Sequence, residues 1–318
     1  MSIENLFILL LPVFFVILVG YLAGYFKFLS ADNAKGLTTF VTKFALPAHL
    51  FVGIVTTSRD KLLEELPFFI VMTVGMLGFF LIVMIVSSFF FKKNLTRSAI
   101  YGLNSTQPSF AFIGIPVLGG IFGAAAVTVP IAITGIVVNA FLIPAATLIG
   151  AVGNNKSGNE KLSTIIGRSL KKGISSPLAF VPFIALILAI FGVHFSGTFT
   201  GMFDMIGDTV SGVALFAIGA TVGIKKFSLN TKAIGISFLK IVIHPLFMLA
   251  VALIFGLSNS EAIMAVLLVS FSCSSVAVMV SAEFKELEKE TASAFVISTI
   301  FSLLTIPLFI ALLSRLLG

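Results

Sequence analysis

Charge is the first thing this chain lacks. Only 10% of its 318 residues are charged, 58% are hydrophobic, and the mean hydropathy is +1.16. A soluble domain carries about 25% charged residues, so this composition excludes one. Tryptophan is absent and Tyr numbers three, so an aromatic belt at a membrane surface would have to use the 35 Phe. Cys273 is the only cysteine, which excludes an internal disulfide; in its Ser-rich apolar stretch it reads as a space-filler. Enzymatic motifs are missing too: there is no H-E-x-x-H, no P-loop and no plausible Ser/His/Asp set. No cleavable signal peptide is expected. The first apolar run, Leu6 to Phe26, is too long, has Glu4 rather than a lysine before it, and lacks an A-x-A site.

What is there is apolar sequence in runs of membrane length. Ten spans can be drawn, at 5–26, 36–57, 66–91, 98–119, 124–150, 174–194, 204–224, 232–256, 260–281 and 291–316. The net charge of +7 would suit nucleic acid in a soluble protein. Here the basic residues lie in short loops and act as topology determinants, so the bilayer is the expected partner and nucleic acid is not. Alternate loops on one side hold Lys27, Lys35, Lys43, Lys92, Lys93, Arg97, Lys156, Lys161, Arg168, Lys171, Lys172, Lys225, Lys226, Lys232, Lys285 and Lys289. The other side holds Arg59, Lys61 and Arg315, and Lys240 lies inside a span. The bias puts the basic loops in the cytoplasm and both termini outside, in a plasma-membrane, multi-pass protein.

The two halves resemble each other. Pro12 corresponds to Pro177 and Leu50-Phe51 to Leu215-Phe216, both at an offset of 165. Ala99-Ile100 corresponds to Ala262-Ile263 and Pro144 to Pro307, both at 163. Residues 1–152 and 173–318 then form two five-helix repeats joined by a polar cytoplasmic linker, 153–172. An odd number of spans per half means that the second half enters from the opposite face, as in inverted-repeat transporters. The expected fold class is an all-α membrane protein of ten transmembrane helices, two inverted five-helix repeats with crossing broken helices 4 and 9.

Span 4 carries Pro108 and Pro116 with Asn104, Ser105, Thr106, Gln107, Ser109 and Gly114 around them. Each proline removes a backbone donor and clashes with the carbonyl four residues back. The pair predicts a break between Gln107 and Pro116, or else a kink. A break would turn the positive end of a half-helix toward an anion. Span 9 has no proline, but Ser270, Ser272, Ser274 and Ser275 cluster at its centre and can satisfy freed backbone groups. Lys240 and His244, four apart in span 8 and followed by Pro245, are candidates to hold or balance a negative charge. Snorkelling of Lys240 and a structural role for His244 stand beside that reading. Asp208 and His244 are the candidates for coupling to H+ or Na+. The G-x-x-x-G pairs Gly20/Gly24 and Gly219/Gly223 predict close helix contacts.

These residues also resemble a family. FALPAHLF (Phe44–Phe51), PSFAFIGIPVL (Pro108–Leu118) and SAEF (Ser281–Phe284) followed by TASAFVISTIFSLLTIPL (Thr291–Leu308) are similar to segments of the auxin efflux carrier family. That family includes plant auxin exporters and bacterial malate or malonate permeases. The resemblance covers essentially the whole chain. It implies a fold related to bile-acid/sodium symporters, with spans 1, 2, 6 and 7 as scaffold and spans 3–5 and 8–10 as a moving core. It also implies an elevator motion and a homodimer. The family's crossover Asn falls on Ser109, and the span 9 prolines fall on Ser272 and Ala277. With no long central loop, the chain is more similar to a bacterial permease. The expected function is secondary transport of small organic anions, malate-like dicarboxylates. The alternatives are a sodium-coupled carrier of larger amphipathic anions and a receptor without transport. The expected substrate contacts are Asn104, Gln107, Ser109, Gly114, Ser272, Ser274, Lys240 and His244; no cofactor or metal is expected.

Overall fold

The computed structural model describes residues 3–155, 162–224 and 228–317. Lys156, Lys161, Lys225 and Lys226 of the basic set lie outside the described residues. The described residues fold into helices, in the order α1 (Ile3–Tyr25), α2 (Ala31–Phe40), α3 (Leu46–Val55), α4 (Arg59–Glu64), α5 (Leu66–Phe90), α6 (Leu95–Thr106), α7 (Phe110–Phe122), α8 (Ala124–Ile136) and α9 (Ile143–Asn154). There follow α10 (Leu162–Ile174), α11 (Pro177–Ile190), α12 (Gly197–Gly207), α13 (Val210–Ile224), α14 (Thr231–Phe238), α15 (His244–Ile254), α16 (Asn259–Ser270), α17 (Ser275–Phe284) and α18 (Glu288–Leu316). Six continuous helical stretches among the described residues are long and apolar enough to cross a membrane: Ala31–Val55, Arg59–Phe90, Ala124–Asn154, Gly197–Ile224, Thr231–Ile254 and Glu288–Leu316. The pairs α6–α7 and α16–α17 have members of 10 to 13 residues, individually too short to cross.

Three of the long stretches contain a widened π-turn, at Val41–Ala45, Val137–Leu142 and Leu239–Ile243. In each case a proline follows two residues later: Pro47, Pro144 and Pro245. The residue before each proline donates to a carbonyl five back: Leu46 to Val41, Ile143 to Val138, His244 to Leu239. A proline ring clashes with the carbonyl four residues back, and the wider turn moves that carbonyl aside while the helix continues. Pro116 also sits inside a helix, α7, which runs on to Phe122. The expected break therefore ends well short of Pro116, which sits in the middle of α7 and costs it one interior hydrogen bond without ending it.

Capping sets two starts earlier than hydropathy does. Ser30 and Asn33 form a capping box, so the second span begins at Ala31 rather than 36. Ser196 caps Phe199, so the seventh begins at Gly197 rather than 204. The linker 153–172 is partly helical: α10, with Arg168 and Lys171 exposed and Ile165 buried, packs beside α9 and α11.

The G-x-x-x-G pairs meet each other. α1 lies along α13 so closely that a Cβ on Gly20, Gly24, Gly219 or Gly223 would run into the opposite backbone, at the carbonyls of Phe216, Ala220, Ile17 and Tyr21 respectively. Without side chains at these points the two backbones touch, which is how helices associate in lipid, where apolar burial supplies no net drive. α11 packs on α3, and α12 on α3 as well. Elsewhere α5 packs on α6, α6 on α9, α7 on α8, α15 on α16 and α14 on α18, and α7 and α8 also lie against α13 and α11 respectively. Arg97 Nε donates to Glu286 at 2.8 Å, which ties the start of α6 to the end of α17.

Candidate functional site

Two interrupted helices, α6–α7 and α16–α17, meet at their breaks. α6 ends at Thr106, Gln107 is extended (φ −66°, ψ 116°), and α7 starts at Phe110. α16 ends at Ser270, Phe271 is extended (φ −62°, ψ 156°), and α17 starts at Ser275. The extended segments run antiparallel, with Pro108 opposite Cys273 and Ser109 N donating to Ser272 O at 2.9 Å. Span 9 breaks without a proline because partners elsewhere replace its helical bonds. Cys273 N donates to Ser298 Oγ of α18 at 3.0 Å, and Ser274 Oγ accepts from Val276 N at 3.2 Å. The crossing brings four helix ends together. α7 and α17 contribute positive ends, α6 and α16 negative ones.

The side chains here are buried and polar. Asn104 Nδ2 donates to Ile100 O at 2.9 Å and Ser281 Oγ at 3.0 Å, and Gln107 Nε2 donates to Ser274 Oγ at 3.2 Å. Their oxygens are different. Of nine buried side-chain polar atoms without a hydrogen-bond partner among the described residues, six belong to this crossing: Asn104 Oδ1, Ser105 Oγ, Thr106 Oγ1, Gln107 Oε1, Ser109 Oγ and Ser272 Oγ. Hydroxyls elsewhere, such as Thr73, Thr134 and Thr147, bond back to the preceding turn; these four do not. A buried unpartnered group costs about 1–3 kcal/mol, so the concentration marks a place where a polar ligand is favoured. Gly114 lies one turn into α7, where a Cβ would make only ordinary contacts, 3.6 Å from Phe271 and Ile131.

Lys240 and His244 are both fully buried, so Lys240 does not snorkel. Lys240 Nζ lies 3.5 Å from His244 Nδ1 and donates to the carbonyl of Val269, in the last turn of α16. That carbonyl is among those a helix C-terminus leaves without an internal partner. A cation there neutralises the negative helix end that would otherwise oppose an anion at the crossing. The imidazole of His244 stacks on Phe79 of α5, centroids 4.5 Å apart and planes 13° apart, and its Nε2 has no partner.

Asp208 goes elsewhere. It is exposed at the joint between α12 and α13, within electrostatic range of His49. A span starting at 204 puts Asp208 one turn inside its outer end; the helix start at Gly197 puts it at a joint between two helices. Phe79 and Ser298 were not legible as site residues, one being among 35 Phe and the other in a run of Ser and Thr.

A cavity of about 260 Å³ reaches the crossing from one end. It lies between α2, α13 and α17, lined by Lys35 and Thr38 of α2, Thr221 of α13, and Ser275 and Met279 of α17. Ser275 is the first residue of α17, so the cavity touches a positive helix end. Lys35 places its mouth on the basic-loop side.

Comparison with known proteins gives a concordant picture. A family model described as "Membrane transport protein" matches residues 5–310. An uncharacterized transporter of Escherichia coli K12, YfdV, is 29% identical over 304 residues, 95% of each chain. A protein of Rhizobium meliloti named "Putative malonate transporter" is 24% identical over 307 residues, 94% of this chain and 92% of that one. The lysosomal cholesterol signaling protein of Mus musculus is 25% identical over 232 residues, 70% of this chain and 26% of that protein.

Proposed function

The chain belongs to the membrane transport protein family, a family of transporters and not of enzymes, and from that premise we propose that it is a secondary active carrier of small dicarboxylates such as malate and malonate. The observation that carries this reading is the cluster of unpartnered polar atoms at the crossing, four of them hydroxyls able to donate to an anion, where α7 and α17 start. Ser109, Ser272 and Ser274 donate to the carboxylates through their hydroxyls and Gln107 through its second Nε2 hydrogen, Asn104 holds the crossing through Ile100 O and Ser281 Oγ, Gly114 leaves the room, and Lys240 offsets the negative end of α16. His244, whose Nε2 is free, carries a coupling proton. The relative named for malonate points to the same chemical class.

Counting α6–α7 and α16–α17 as one crossing each gives ten spans, in inverted halves 1–152 and 173–318. Reciprocal packing supports the inversion, since α1 of the first half lies on α13 of the second while α11 of the second lies on α3 of the first. In this reading α1, α2, α3, α11, α12 and α13 are the scaffold, held by the glycine contacts of α1 with α13. The helices α5 to α9 and α14 to α18 slide against it as an elevator, and the cavity at Ser275 is the cytoplasmic entrance in the inward-facing state. The protein works as a homodimer in the plasma membrane with both termini outside.

The test is uptake of labelled malate and malonate into vesicles by the purified protein and by Ser109→Ala and Ser272→Ala. Neither hydroxyl has a partner among the described residues, so folding stability stays unchanged or rises slightly. A hydrogen bond to a charged ligand is worth about 1.5–3 kcal/mol, so each variant binds about ten- to a hundredfold more weakly. No accumulation of either acid, or unchanged affinity in both variants, would sink the assignment.

A further inference from the structure

A groove of about 760 Å³ lies away from the crossing, between α5 and the span formed by α14 and α15, and no role in the substrate reading accounts for it. Its walls are apolar, from Phe79, Val83 and Phe90 on one side and Leu239 and Ile243 on the other. Its rim carries three cations, Lys92, Arg97 and Lys232, and no carboxylate lines it. From Phe79 to Phe90 is eleven residues of α5, roughly 16 Å of helix. That is about half of a ~30 Å hydrocarbon core, the depth of one leaflet. The groove starts at mid-helix and ends where the cations stand.

The cations are held in place rather than loosely displayed. Arg97 and Lys232 each stand 5.9 Å from the centre of the Phe91 ring. Arg97 pairs with Glu286 through Nε, which leaves the rest of its guanidinium, and Lys232 pairs with Glu290 at 3.6 Å. Lys92 has no ion pair among the described residues. It sits in a turn where Lys92 (φ 50°) and Lys93 (φ 58°) both adopt the left-handed conformation that residues with a Cβ rarely take.

We propose that this groove is a specific site for an anionic phospholipid of the leaflet on the basic-loop side, its acyl chain between α5 and the Leu239–Ile243 turn and its phosphate among Lys92, Arg97 and Lys232. A soluble anion would use the cations but not a leaflet-deep apolar trough, and a neutral lipid would use the trough but not the cations. The chain end reaches Phe79, the ring on which His244 stacks. A bound lipid therefore packs against the support of the Lys240–His244 pair. The inference does not depend on which substrate is carried.

Absence of tryptophan makes the site measurable. Ile82→Trp places a single fluorophore on the groove lining, and Leu308→Trp places one on an exposed position of α18 that does not line it. Each variant is reconstituted in phosphatidylcholine with dibrominated phosphatidylglycerol or dibrominated phosphatidylcholine as quencher. The expected preference for the anionic lipid is roughly fivefold or more at Ile82→Trp, from one unpaired cation near the surface, and about one at Leu308→Trp. Lys92→Gln, an exposed change that breaks no ion pair, lowers the groove preference toward one, and Glu286→Gln raises it by freeing Arg97. Equal quenching at both positions, or a groove preference that survives Lys92→Gln with Arg97→Gln and Lys232→Gln, overturns the proposal. So does loss of the preference in millimolar malate, which would make the cations a site for soluble anions.

Discussion

Replacing Gly219 by alanine puts a methyl group where α1 and α13 touch. The new Cβ would stand 2.8 Å from Tyr21 N and closer still to the carbonyl of Ile17. Both are backbone atoms of a long helix, so no side chain can swing aside. Ordinary contact needs about 3.4 Å or more, so α1 must retreat by at least ~0.6 Å. The shift loosens the contacts at Gly20, Gly24 and Gly223 together, because all four lie on one seam. Overpacking of this kind costs about 1–3 kcal/mol, against roughly 0.5–1 kcal/mol gained from removing a helical glycine. Because the clash is with fixed backbone the cost falls in the upper part of its range, and the net is about 1–2 kcal/mol of destabilisation. Gly212 provides the control: it lies in the same helix with nothing within 4 Å of an added Cβ, so Gly212→Ala should stabilise by roughly 0.5–1 kcal/mol. Cys273 is buried and is the only cysteine, so a thiol-reactive fluorophore reports unfolding directly. At about 2 °C per kcal/mol for a chain of this size, Gly219→Ala should lower the transition by roughly 2–4 °C and Gly212→Ala should raise it by about 1–2 °C. If Gly219→Ala matches Gly212→Ala, the backbone contact is not what holds α1 to α13.

Two further outcomes follow from the crossing. Lys240→Met exchanges the cost of burying an ammonium, about 2.5–3.5 kcal/mol, for the loss of one charge-assisted bond of about 1.5–3 kcal/mol. Its thermal transition should stay within a few degrees of the parent while dicarboxylate affinity, measured by calorimetry, falls tenfold or more. Early unfolding with intact affinity would leave Lys240 as a cap for α16 and nothing else. Ser275→Cys, in a Cys273→Ser background, should react with an impermeant maleimide from the side that bears Lys35 and Lys171. Reaction from the opposite side alone would mean that the cavity opens the other way.

Much of this protein is decided locally and so can be read from the chain. Low charge and long apolar runs place it in lipid, because unsatisfied or charged groups are costly there whatever the tertiary fold. Pro108 breaks its helix because a missing N–H and a ring clash act within one turn. FALPAHLF and PSFAFIGIPVL carry the family. Other features needed the tertiary structure. Pro47, Pro116, Pro144 and Pro245 look like further breakers, yet their helices continue, three of them through a π-turn, because packed neighbours hold both flanks in line. Span 9 breaks without a proline because Ser109, in the other half of the chain, and Ser298, on α18, satisfy its exposed backbone. The glycine pairs were visible as patterns, but that Gly20 and Gly24 face Gly219 and Gly223 depends on how the two halves dock. Lys240 could be read as a buried charge; that its proton goes to Val269 O, at the end of a half-helix, depends on which carbonyl the fold brings within reach. Local chemistry acts over a turn of helix, whereas these partners lie far apart in sequence and only packing brings them together.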